Sequence, residues 1–258
     1  MVEIRRLIQR NRRVISILGT AVAAVMILWA VNTPMIVGAS AAKRQLPVYC
    51  VQRDDKKIAI SFDAAWGNED TQSLIDTLSD HGIRSTFFVV GDWAEKHPDS
   101  VKALHDAGHE VMSHSLHHSH FSMMSANDIA VDLKEANRII AAVTGVEPTL
   151  FRCPYGEYDD HVIQTVKELG MTAIQWSVDS LDWKGISADE ICDRVLTRIE
   201  PGSIVLFHNA AEHTPEALPR ILDSLENEGY TVVPVSELLL DGSTSIDHAG
   251  KQIPNKSL

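Results

Sequence analysis

Residues Ile58–Phe62 read Ile-Ala-Ile-Ser-Phe, a short, partly β-branched apolar run with a carboxylate, Asp63, directly after it. A run of this length is a strand buried on both faces. Six more like it follow, at Ser85–Val90, His109–Ser113, Leu150–Arg152, Ala173–Val178, Ile204–His208 and Thr231–Val233. Helical patterns separate them: Asp70–His81, Trp93–Ala107, Ala126–Thr144, Asp160–Leu169, Ala188–Ile199 and Thr214–Glu228. Asp70 and Ser125 stand where N-caps belong, and Gly82, Gly108, Gly145, Gly170 and Gly229 follow the helices as C-terminal caps. Strands alternating with helices over short connections predict an α/β domain spanning 56–240. Its expected form is a distorted (β/α) barrel of about seven parallel strands. The G-x-G-x-x-G and Walker A signatures of nucleotide-binding open sheets are missing, so no nucleotide cofactor is expected.

The chain has 258 residues and a net charge of −12, but that average hides a split. Residues 1–44 hold seven basic side chains against one acid, Glu3, and carry +6; the rest of the chain carries −18. Within the basic part, 14–31 is an uncharged and almost wholly apolar stretch. As a helix it would span roughly 27 Å, close to a bilayer's hydrocarbon thickness. The arginines of 1–13 place the N-terminus in the cytoplasm and the rest of the chain outside, anchored in the cell membrane. Small residues at Val37–Ala39 and Ala39–Ala41 also resemble signal-peptidase sites, and cleavage there would release a secreted domain. Residues 32–55 read as a spacer and 241–258 as a polar tail with nothing to bury.

An acidic outer domain argues against nucleic acid as a partner, since a polyanion requires a basic footprint. Three widely spaced cysteines, Cys50, Cys153 and Cys192, form no disulfide framework and no C-x-x-C zinc knuckle. Any metal must then rely on histidine and carboxylate ligands.

In a β/α barrel, function collects at the C-terminal ends of the strands. There the sequence places Asp63, then His114, His117 and His118, then Arg152 with Tyr155, then Asp179, Asp182 and Trp183, and finally His208. Half of the histidines crowd into the single stretch from His105 to His120. His114 and His118 are four apart, so in a helical turn both rings face one way, as a divalent metal requires.

Five segments then appear in order: S-F-D-A-A-W-G from Ser61, H-S-L-H-H from His114, F-R-C-P-Y-G from Phe151, D-S-L-D-W from Asp179 and L-F-H from Leu206. Across about Lys56 to Leu239 the chain resembles the polysaccharide deacetylases of carbohydrate esterase family 4, the NodB-homology domain. Within that family it looks most like the membrane-anchored, sporulation-associated subgroup. The resemblance implies hydrolytic removal of acetyl groups from an N-acetylated polysaccharide, peptidoglycan or a related wall polymer. It implies a divalent metal, zinc with cobalt as an alternative, on His114 and His118.

In the same reading Asp63 is the base, Arg152 fixes it, His208 is the general acid and Asp182 orients His208. The Tyr155 backbone N–H serves the oxyanion, Trp183 walls the groove and Leu206 lines the acetyl slot. Asp179 and Asp182 compete for the orienting role, and Asp182, directly before Trp183, is preferred. His117 and His120 are expected at the surface or behind the site. Where most members have a second aspartate that binds the metal, this chain has Ala64. Asn68, Glu69 or Asp70 supplies the missing oxygen, or water does, or the metal is no longer usefully bound. The last case is a membrane-anchored, catalytically impaired carbohydrate-binding protein.

Overall fold

The computed structural model describes residues 44–255. The basic segment 1–13, the apolar segment 14–31 and the spacer up to residue 43 lie outside the described residues. Among the described residues no helix is long and apolar enough to cross a membrane.

A short strand, β1 (Cys50–Val51), precedes β2 (Lys57–Ala64), β3 (Thr86–Val89), β4 (Glu110–Ser113), β5 (Leu150–Phe151), β6 (Thr172–Ala173), β7 (Val178–Asp179), β8 (Ile204–His208) and β9 (Thr231–Val232). The helices are α1 (Thr71–Asp80), α2 (Gly91–Lys96), α3 (Pro98–Asp106), α4 (Ala126–Thr144), α5 (Asp160–Glu168), α6 (Ala188–Leu196), α7 (Thr214–Asn227) and α8 (Val235–Leu238). Seven strands pair in the order β6-β5-β4-β3-β2-β8-β7, all parallel, and β9 adds to the start of β2.

The register between β2 and β8 sets the site. Ser61 pairs with Leu206, Phe62 with Phe207 and Asp63 with His208. Alternation along a strand then puts Ser61, Asp63, Leu206 and His208 on one face and the two phenylalanines on the other. Phe62 stacks on Phe87 at 4.7 Å between ring centroids and packs with Leu74, Ile191 and Leu218 under the helices. The inner face is filled lower down by Ala59, Phe88, Met112, Ile174 and Ile204.

The single strand expected over Ala173–Val178 is two. β6 pairs with β5 at one edge of the sheet and β7 with β8 at the other. Residues 174–177 link them, and the five steps from Ala173 to Val178 reach at most roughly 17 Å, so the sheet must curl until its edges approach. Val48 fills the seam: its N–H donates to the Ala173 carbonyl at 2.9 Å, and its own carbonyl accepts from Gln175 N–H at 2.7 Å. The expected barrel is thus a curled parallel sheet joined across its gap by chain and not by a ladder.

The same seam explains why the reading of both chain ends differs. Val48 and Val51 are buried with Ile174, Ile204, Val235 and Leu238. The supposed polar tail forms β10 (Thr244–Ile246) and β11 (Lys251–Pro254), with β11 parallel to β1 and antiparallel to β10. Gln252 of β11 is buried, and Ile246 of β10 packs against the same cluster as Val48 and Val51. Gly202 is required where this layer meets β8, since a Cβ there would lie 1.8 Å from the Val51 carbonyl oxygen.

The helix expected over Trp93–Ala107 breaks at His97, which Pro98 forces out of helical geometry (φ −126°, ψ 55°). Ser125 caps α4 through its side chain, whereas Asp70, at the N-cap of α1, makes no side-chain cap. Its carboxylate accepts from Ala210 N–H at 2.8 Å instead.

Candidate active site

Asp63 closes β2 and is 5% exposed. Its Oδ1 accepts from Arg152 Nη1 at 2.8 Å. Arg152 follows β5 and is wholly buried, with Nη2 donating to Ser61 Oγ at 2.9 Å and to the Gln175 carbonyl at 3.2 Å. The guanidinium also lies over the Phe88 ring, 4.2 Å from its centroid. Burial by itself would raise the Asp63 pKa, but Arg152, His114 and His208 together hold it below the usual carboxylate range. The site therefore keeps an ionised carboxylate out of water.

His208 ends β8 beside Asp63. Its Nδ1 pairs with Asp182 Oδ1 at 2.8 Å, and its backbone N–H donates to Asp182 Oδ2 at 2.8 Å. Asp182 is 1% exposed and also accepts from Thr214 Oγ1 at 2.8 Å and Trp183 N–H at 2.9 Å. Burial disfavours the His208 imidazolium, yet Asp182 outweighs it and the pKa lies above the ordinary histidine value. Of the two aspartates, Asp182 is the one hydrogen-bonded to His208. Asp179 instead accepts from Leu181 N–H at 2.8 Å, within its own turn.

His114 and His118 come together, with ring centroids 5.0 Å apart, but not on a helical turn. They sit on the loop after β4, which bends through positive φ at Ser115 (73°) and at His118 itself (55°). His114 Nδ1 lies 2.8 Å from the Arg152 carbonyl, so it carries the proton, and Nε2 points its lone pair 3.5 Å from Asp63 Oδ2. Burial lowers the pKa of both rings, that of His118 to about 4, leaving two neutral imidazoles.

Tyr155 follows Pro154 at φ 58° and is 57% exposed, stacked on His120 at 4.3 Å. Trp183 is likewise about half exposed, with Lys184 Nζ 4.9 Å from its ring centroid. Leu206 is buried two residues before His208, on the same strand face. His117 and His120 pair at the surface with Asp92 and Glu157. Burial pushes the Cys153 thiol up to about 12, so it is a neutral packing group.

A divalent metal at this place has two imidazole donors, His114 Nε2 and His118. Ala64 is buried in the apolar layer beneath the helices. None of the three candidates for the missing oxygen is seen to join the two histidines, although Asp70 Oδ1 is buried without a hydrogen-bond partner. Asn68 donates to Ser100 Oγ, Glu69 accepts from Asn68 N–H in its own loop, and Asp70 is tied to Ala210. Among the described residues no group of three His, Cys, Asp or Glu side chains is arranged to hold a metal ion. The donor set fits an ion held weakly by two neutral imidazoles, not a three-ligand centre.

Ser61, Thr214 and Asn209 were missed by the sequence reading, and Trp66 was quoted in a motif without a role. Ser61 had a signal, lying two residues before Asp63 on the same strand face. Thr214 and Asn209 had none, because their partners are remote in the chain: Asp182 for Thr214, Trp66 and Gly67 for Asn209.

Residues 51–174 match the family model described as polysaccharide deacetylase. The chain is 30% identical over 193 residues to the uncharacterized protein YlxY of Bacillus subtilis, covering 75% of this chain and 60% of that one. It is also 30% identical over 198 residues to the peptidoglycan-N-acetylmuramic acid deacetylase PdaA of Bacillus subtilis, covering 75% of each. Thus it spans less than two thirds of YlxY. Among solved structures, BA3943 of Bacillus anthracis, a CE4 family pseudoenzyme, superposes with a TM-score of 0.72 at 33% identity, over 74% of this chain and 68% of that one. A mutant of that protein is described as having restored enzymatic activity. With the five motifs gathered at one end of the curled sheet, these likenesses show that the chain belongs to the polysaccharide deacetylase family.

Proposed function

We propose that this protein hydrolyses N-acetyl groups on a wall polysaccharide of the peptidoglycan type, outside a membrane to which residues 14–31 anchor it. A place in sporulation is part of the same reading and rests on the motif likeness alone. The observation that carries the chemistry is the Asp63–His208 register pair, which sets a carboxylate and an imidazole side by side on adjacent strands, each clamped by its own buried partner.

Asp63 Oδ1 is committed to Arg152, so Oδ2 is the basic atom that takes a proton from the attacking water. His208 Nδ1 is committed to Asp182, which directs Nε2 to protonate the departing amine. The Tyr155 backbone N–H faces the developing oxyanion, Leu206 receives the acetyl methyl and Trp183 walls the groove. A zinc or cobalt ion on His114 and His118, when bound, polarises the acetyl carbonyl and lowers the pKa of water.

The test is acetate release by the full chain in detergent from N-acetylglucosamine oligomers and peptidoglycan fragments, with zinc or cobalt supplied in excess. Release that disappears in Asp63→Asn supports the reading; no release, or release that survives the substitution, overturns it. The two-donor metal position and the likeness to a pseudoenzyme favour a second reading, a carbohydrate-binding protein without turnover. That reading expects glycan binding and no acetate at any metal concentration.

A further inference from the structure

We propose that Trp66 is a sugar-binding platform laid across the seam between the acid–base pair and the paired imidazoles, held there by Asn209. The proposal rests on the glycan reading above and adds to it a binding residue.

The Trp66 indole is 49% exposed. It lies nearly parallel to the His208 ring, 19° between planes and 6.0 Å between centroids, and edge-on to His118 at 6.4 Å. One ring thus adjoins both halves of the site. The loop backbone that carries this half-exposed ring is pinned in place. Asn209, 2% exposed, donates from Nδ2 to the carbonyls of Trp66 and Gly67 at 2.7 and 2.8 Å and accepts at Oδ1 from Ala65 N–H at 3.2 Å. Gly67 has φ 60°, and a Cβ there would lie 2.6 Å from the Ala210 Cβ, so the loop is seated directly on the segment after β8.

A buried amide with its donors and acceptor all engaged is a preorganising element. What it presents, on a fixed backbone, is an indole face beside His208 and His118. The C–H face of a pyranose ring is the complementary surface. Stacked there, the sugar is held in register with its acetamido group between base and acid. The rival role, shielding His208 from water, separates kinetically: loss of a platform raises Kd and KM, whereas loss of a shield lowers kcat with binding intact.

Binding of an N-acetylglucosamine tetramer to the full chain in detergent is measured by calorimetry in the isosteric Asp63→Asn background, and KM and kcat are measured by acetate release in the parent. Trp66→Ala is expected to weaken binding and raise KM by about tenfold, with Trp66→Phe restoring both to within about threefold and the melting temperature unchanged. Equal binding by parent and Trp66→Ala, or a fall confined to kcat, overturns the platform and leaves the glycan reading standing. A parent that neither binds the tetramer nor releases acetate overturns the glycan reading, and the platform with it.

Discussion

The two halves of the cleft are built differently. Asp63–Arg152–Ser61 and His208–Asp182–Thr214 are anchored on adjacent parallel strands, buried, with each charged group met by an opposite one. The His114–His118 pair sits on a loop that turns through two positive-φ residues and offers two neutral imidazoles; among the described residues no group of three His, Cys, Asp or Glu side chains is arranged there to hold a metal ion. Proton transfer depends on distances that strand register fixes; metal affinity depends on how many donors converge. The chain is complete in the first respect and short in the second.

The largest effect is expected from breaking the complete half. Arg152→Ala leaves Asp63 buried without its cation, which should cost about 3–5 kcal/mol of stability in denaturant unfolding. A loss under about 1 kcal/mol would mean that water reaches Asp63 and that the pair is not sealed. Asp63→Asn removes the base, so acetate release should fall by roughly 10²–10⁴; it also leaves Arg152 buried without its counter-charge, so the unfolding midpoint should fall as well.

The incomplete half is sharpened by Ala64→Asp. A carboxylate at the end of β2 supplies the third donor, and zinc affinity by calorimetry should rise by on the order of tenfold or more. No gain would show that the apolar layer around Ala64 keeps the side chain turned away.

The smallest effect concerns pH. Asp182 raises the His208 pKa against the opposing effect of burial, so Asp182→Asn should lower it, as followed by NMR, and move the alkaline limb of activity to lower pH. The pair stabilises the fold fully below the unfolded histidine value of about 6.5 and ceases to as pH rises through the higher folded value.

Strand order and site were legible in different degrees. Apolar runs at strand length located seven strands, and Ile204–His208 and Ala126–Thr144 match the observed β8 and α4 at both ends. The ionisable residue after each run located the site, because apolar strands have no packing reason to end in charge. What the sequence hid depends on distant partners. Ala173–Val178 looked like one strand, since periodicity cannot reveal that its halves pair with opposite edges. Thr244–Pro254 looked unburied, since its partner β1 lies at the opposite end of the domain's sequence. The spacing of His114 and His118 suggested a helical turn, and positive φ at Ser115 and His118 achieves the convergence by another route. The motif alone shows that Ala64 lacks the ligand, but only the geometry shows that, among the described residues, neither Glu69 nor Asp70 makes up a group of three with the histidines.

The most direct measurement is acetate release from a peptidoglycan-type glycan as a function of zinc concentration, for the parent and Asp63→Asn. Release should climb well past one equivalent of zinc, as two imidazole donors hold the ion weakly, and should vanish in the variant at every concentration. Saturation at one equivalent, or no release by the parent at any zinc level, would contradict a complete acid–base half joined to an incomplete metal half.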